Sequence, residues 1–215
     1  MANVNRPRGF SPKNTLSGEY RAANRLYAIP TSDTSNSYAI GDCVMSAASA
    51  DTNGVAYIQK WGGVATTSAL PLGIITGIQV ADGGSASLVA GTLDLTQTYI
   101  LAGTRSTVRY VYVDDNPMAL FEAQFDNTAI VVADLHKNAA VTVSASVAHT
   151  TATPYSTMVL TSPATTATLP IRIIGAVQET KNEIGAYVRV LCKWNYHEYG
   201  VTAGASGTVV SYLAP

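Results

Sequence analysis

The chain has 215 residues, of which 13% are charged, and a formal net charge of −1. That charged fraction is about half of what globular domains usually carry. The length supports a sizeable core in one domain or two small ones, and the near-neutral total gives no drive towards non-specific nucleic-acid binding. Ala, Thr, Ser, Val and Gly fill the place of the missing charges, a composition that favours strands over helices.

The charge that remains is unevenly spread. Arg6, Arg8, Lys13, Arg21 and Arg25 face Glu19 alone in residues 1–26, so a basic head precedes an acidic body. Such an asymmetry points to electrostatic docking on an acidic neighbour, either another copy or a scaffold. The opening MANVNRPRGF lacks an apolar h-region and no run of about 18 apolar residues occurs, so the expectation is a chain made in a cytoplasm with no membrane partner.

Residues 1–37 show no sustained period, and Arg6–Pro12 places two prolines and a glycine around Phe10. They read as an extended arm, with Phe10, Leu16, Tyr20, Leu26 and Tyr27 spaced as anchors on a partner. From Tyr38 the chain becomes a β-rich body, read as 38–199 with a possible division into 38–105 and 106–199. Asn53-Gly54 signals a hairpin before the strand Val55–Trp61. Leu70–Val80 is a buried strand whose glycines mark bulges or close backbone approach. Asp82-Gly83-Gly84 is a turn, and Leu93–Leu101 a further strand.

Val108–Asn127 carries the clearest pattern and reads as a hairpin. Tyr110 and Tyr112 alternate with Val111 and Val113. Asp114-Asp115-Asn116-Pro117 turns the chain, and Phe121, Ala123 and Phe125 then alternate with Glu122, Gln124 and Asp126. The second face is wet in this reading and offers a subunit contact. Thr128–Leu135 is a strand or a short helix. Asn138–Pro170 is almost uncharged, with Val141, Val143 and Ser156–Leu160 as its pairing parts, and other subunits or loops are expected to cover it. Ile171–Val177 and Tyr187–Trp194 close the body, the latter with Val188, Val190, Cys192 and Trp194 inward. Gly200–Pro215 is a Gly/Ala/Ser-rich tail. Regular strand-length segments between turns give an all-β class, a barrel or sandwich.

Cys43 and Cys192 sit in apolar strands and read as buried thiols. The chain holds no P-loop, GxGxxG turn, HExxH or GxSxG elbow, and His136, His149 and His197 have no local spacing for shared ligation. Asp114 and Asp115 are adjacent carboxylates, read as a turn in preference to a hard-cation site. No catalytic, cofactor or metal residue is assigned. The 12 tyrosines are not interleaved with basic residues as direct nucleic-acid contact requires. A carbohydrate-binding platform of Trp61, Trp194 and tyrosines is the competing reading from another class.

Asn5-Arg6-Pro7-Arg8-Gly9-Phe10-Ser11-Pro12 resembles the N-x-P-x-G-(F/L)-x-P opening of the capsid decoration, or cement, proteins of tailed phages. Gly41-Asp42-Cys43-Val44 is similar to their G-D-P-V, with Cys43 in place of Pro, and Leu72-Gly73-Ile74 to their L-G-V. Val113–Pro117 with Phe121-Glu122-Ala123-Gln124 resembles their DDP…FEVQ. Leu169–Gly175, Asn182-Glu183-Ile184-Gly185 and Trp194-Asn195-Tyr196-His197 complete the likeness, while Gly84–Gly103 departs from it. The resemblance implies a β-rich virion protein on the outer capsid surface, bound to the major capsid protein, often as a homotrimer, with no enzyme activity. Arg6, Arg8, Phe10, Lys13, Tyr20, Arg21, Arg25, Tyr27, Glu122, Gln124 and Asp126 are then the expected contacts to capsid or subunit. A neck, tail or fibre-base protein of the virion is the nearest alternative.

Overall fold

The strands follow from alternating apolar residues broken by turn residues. In chain order they are β1 (Ser11–Thr15), β2 (Asn24–Ile29), β3 (Tyr38–Ala39), β4 (Cys43–Ala50), β5 (Ala56–Lys60), β6 (Gly73–Ile78), β7 (Tyr99–Ile100) and β8 (Arg109–Asp114). There follow β9 (Ala119–Gln124), β10 (Asn138–Thr142), β11 (Val159–Ala164), β12 (Ile171–Ala176), β13 (Arg189–Trp194), β14 (Val201–Ala203) and β15 (Val209–Ser211). The computed structural model describes residues 3–18, 24–63, 69–79, 94–143, 149–203 and 209–211. Among these the helical content is one 3-10 turn at Val132–Asp134, which is what Thr128–Leu135 contributes in place of a strand. No described helix is long and apolar enough to cross a membrane. The protein is all-β.

Five strands close into a barrel in the order β2-β5-β4-β6-β8. The β4–β5 hairpin turns at Asn53-Gly54, where Gly54 has φ 81°. The Asp51 carboxylate accepts the N–H groups of Asn53 at 2.9 Å and Val55 at 2.8 Å, so the turn is held by its own side chain. Closure comes from β2, antiparallel to β8 along its length and parallel to β5 at the single pair Ala28–Tyr57. The interior is mainly aliphatic: Ile29, Val44, Ile58, Leu72, Ile75, Ile78, Val111 and Val113 are buried with Tyr27 and Tyr38.

The second unit is a six-stranded sheet in the order β1-β9-β13-β12-β10-β11. It curls until Phe125, just past β9, bridges Leu160 of β11. Its core is built around an aromatic cluster. Trp194 lies among Phe10 (ring centroids 5.9 Å apart), Phe121 (5.3 Å) and Trp61 (6.0 Å). Val188, Val190, Cys192 and Trp194 are all buried, as the alternation in 187–194 predicts, and Val141 pairs with Leu160. Both cysteines are buried free thiols, and burial pushes both thiol pKa values up.

The two cores share strands. Cys43 faces the aromatic core while its neighbour Val44 faces the barrel interior, and Ile74 and Ile75 divide in the same way. A period of two therefore places β4 and β6 as a common wall. Gly73 stands where this wall meets β8: a Cβ there would lie 2.3 Å from the Asp114 carbonyl oxygen, so only glycine fits without movement. Gly77 marks the register shift between β6 and β8, the bulge that the glycines of this strand predict.

Two expectations are corrected. Val108–Asn127 is not a hairpin, because β8 belongs to the barrel and β9 to the sheet, and residues 115–118 carry the chain between them. Within the first 37 residues, read as an extended arm anchored on a partner, the described segments are held by this chain itself. They supply β1 to the sheet and β2 to the barrel, and Phe10 is 1% exposed. One Phe inserted among Trp194 and Phe121, and two strands with partners, supply the burial and backbone bonds that the local sequence lacks. The barrel takes its strands from residues 24–114 and the six-stranded sheet from 11–15 and 119–194. In the tail, β14 and β15 pair with each other. The turn at 82–84 lies outside the described residues.

Candidate functional site

A charged groove lies on the outer face of β9 and β13. Its floor is Glu122, Gln124 and Arg189, since their neighbours Phe121, Ala123 and Val190 point into the core. One wall is the N-terminal segment from Asn3 to Arg8, and the other is the loop Thr180–Asn182. The cavity measures about 440 Å³, and five cations, Arg6, Arg8, Lys13, Lys181 and Arg189, line it with one carboxylate, Glu122.

The walls are pinned by amides. Gln124 is 5% exposed, and its side chain accepts the Arg6 N–H at 3.1 Å and donates to the carbonyls of Val4 at 2.9 Å and Tyr187 at 3.1 Å. Asn3 donates to the carbonyls of Glu183 and Ala186 and accepts the Glu183 N–H at 2.9 Å. Asn182 closes the opposite loop, donating to the carbonyls of Val177 and Arg189 and accepting the Arg189 N–H at 2.8 Å. Each amide can serve as donor and acceptor at once, which is why three of them hold two irregular segments in place.

The charges sort into two groups. Glu122 takes Lys13 at 3.0 Å and Arg189 at 2.9 Å, and Arg189 also reaches Glu179 at 2.5 Å. Burial opposes the Arg189 cation, but Glu179 and Glu122 outweigh it and leave its pKa raised. Arg6 and Lys181 are exposed on the walls, and the Arg8 guanidinium lies 5.3 Å from the centre of the Tyr155 ring.

The remaining expected contacts lie elsewhere. Tyr27 is buried in the barrel and donates to Asp115 at 2.7 Å, while Arg25 pairs with the same carboxylate at 3.3 Å. Burial first, then the Tyr199 and Asp115 partners, raise the Tyr27 pKa. Asp115 is thereby engaged, and Asp114 accepts the Asn116 N–H at 3.2 Å, so this pair is a turn and an internal anchor. Asp126 is opposed by burial, but hydrogen bonds from Thr128 and Thr161 lower its pKa. Tyr20 and Arg21 lie outside the described residues. Three expectations need correction: Phe10 and Tyr27 are core residues, and Gln124 is not a wet surface position, because the N-terminal segment covers it. The Trp platform is corrected too, with Trp61 at 0% and Trp194 at 4% exposure.

Sequence reasoning missed Lys181 and the role of Arg189. The outward phase of Arg189 was readable from alternation, but nothing local placed it beside Arg6. Among the described residues no group of three or more His, Cys, Asp or Glu side chains is placed to hold a metal ion. Comparison with known proteins finds no matching family model, no similar curated protein and no similar solved structure.

Proposed function

We propose that this chain is a structural virion protein, a capsid decoration protein that binds the outside of a phage head and stabilises it by bridging neighbouring subunits. One observation carries the reading: the sequence segments similar to that family, scattered from residue 5 to residue 197, meet in space. Phe10 donates its N–H to the Gly41 carbonyl at 3.0 Å, and a Cβ on Gly9 would lie 2.2 Å from that oxygen. Gly73 packs on Asp114, Phe121 on Trp194, and Asn195 reaches the Leu169 and Pro170 carbonyls at 2.9 and 2.8 Å. Residues that look like a family signature thus act as structural joints, and this role supports the reading.

The mode of attachment differs from a strap made of a loose arm. The N-terminal segment is fixed to its own sheet, so a preformed surface makes the contact and little chain entropy is lost on binding. Exposed Val4, Leu95, Leu101, Met118, Val131 and Val132 supply apolar area for contacts to capsid or to further copies in a trimer. Mixing the purified protein with heads that lack it tests the proposal. Cosedimentation, density over the whole shell in proportion to the major capsid protein, and a gain in heat resistance are expected. Density confined to a neck or tail ring, or no association at all, overturns it.

A further inference from the structure

We infer that the groove between the N-terminal segment and the Thr180–Asn182 loop is a docking site for an acidic peptide segment of the protein this chain binds. The inference rests on the decoration reading only for which protein carries that segment. Five cations against one carboxylate give the groove a positive field within a chain whose formal net charge is −1. Lys13 and Arg189 are matched by Glu122 and Glu179, which leaves Arg6, Arg8 and Lys181 on the walls to meet incoming charge. The spacing of the walls is fixed by Gln124, Asn3 and Asn182, so the cations are held apart before any ligand arrives.

The chemistry favours carboxylates on a peptide over a nucleic-acid backbone. A phosphate chain laid along the floor would pass Glu122, and among the described aromatic residues only Tyr187 lines the groove, too few for successive bases to stack on. Val4, 68% exposed, lines the groove and supplies an apolar contact that suits a peptide with alternating acidic and apolar residues. Electrostatic complementarity of this kind sets orientation and encounter rate, and its signature is weakening by salt.

The test uses the full-length protein and a fluorescein-labelled peptide of alternating Glu and Val, its Gln-for-Glu counterpart, and single-stranded DNA and RNA oligonucleotides, read by anisotropy. Arg6→Glu combined with Lys181→Glu is the key variant, since both side chains are exposed on the walls and neither enters a core. Near-ultraviolet circular dichroism and the melting temperature confirm its fold. The expected result is salt-sensitive binding of the Glu peptide, weakened about tenfold or more by the double reversal, with the Gln peptide bound poorly. Equal binding by the variant, preference for oligonucleotide, or no peptide binding overturns the inference. In parallel, wild type and variant are added to heads. Loss of occupancy by the variant alone supports the groove. Equal occupancy refutes the groove and leaves decoration standing. A wild type that fails on heads refutes decoration, while the peptide measurement still decides the groove.

Discussion

The barrel and the curled sheet use the same strand chemistry but finish it differently. The barrel closes through paired strands all round and keeps a deeply buried ion pair, Lys60 with Asp42 at 3.2 Å, out of solvent. The sheet closes by a single bridge at Phe125 and Leu160, and its outer face gathers Lys13, Glu122 and Arg189 beside the N-terminal segment that carries Arg6. One unit spends its polar groups on itself, and the other displays them. Under the proposed function, the difference makes the barrel the scaffold and the sheet the recognising face, although the two share a wall.

The sharpest way to break that division is to empty the aromatic core. Trp194→Ala should cost about 3–5 kcal/mol, because Trp194 touches three other aromatic rings and little can collapse into its place. Urea unfolding should show one shifted transition, because Cys43 with Val44 and Ile74 with Ile75 tie the two cores together. Two separate transitions would make barrel and sheet independent units.

A smaller effect comes from pH. His197 is 2% exposed, its Nδ1 accepts the Tyr199 N–H at 3.0 Å, and burial lowers its pKa from 6.5 to about 4. The unfolded chain takes up the proton first as pH falls, so this contribution to stability is whole above about 6.5 and is lost towards about 4. The slope is about 1.4 kcal/mol per pH unit within that window. Denaturation midpoints measured from pH 7 to pH 4 should follow it, and His197→Asn should flatten the curve. An equal slope in the variant would place the pH dependence on other groups.

The smallest effect belongs to the displayed charges. Lys13 is half-exposed beside Glu122, so Lys13→Ala should change stability by about 0–1 kcal/mol, less at high salt. A loss well beyond that in thermal denaturation would mean that the groove's charges hold β1 in place.

Much of the fold was legible because alternation reports which way a side chain points. Val188 to Trp194, Phe121 to Phe125 and the Asn53-Gly54 turn were read from neighbours in sequence, and their phases are those observed. Pairing was not legible, since a period of two says which face is buried and not which strand lies alongside. That is why β8 and β9 looked like a hairpin, although a bend at Asp114–Pro117 serves equally to send a chain from one sheet to another. The N-terminal segment looked free because Phe10 has no apolar neighbours in sequence. Its neighbours are Phe121 and Trp194, more than a hundred residues away. The groove was half legible. Arg6, Arg8, Lys13, Glu122 and Gln124 were singled out, but Lys181 sits in a polar loop whose position depends on Asn182 bonding back to β13.

The pairing of β1 with β9 also governs how the protein is made. Ser11 finds its partner Glu122 only after more than a hundred further residues have been added. At about 5–20 residues per second, the opening segment emerges from the ribosome and waits on the order of ten seconds with Phe10 uncovered. Strand β1 is thus made long before the strand that locks it, and the cation-lined groove comes into being only when the sheet beneath it is complete.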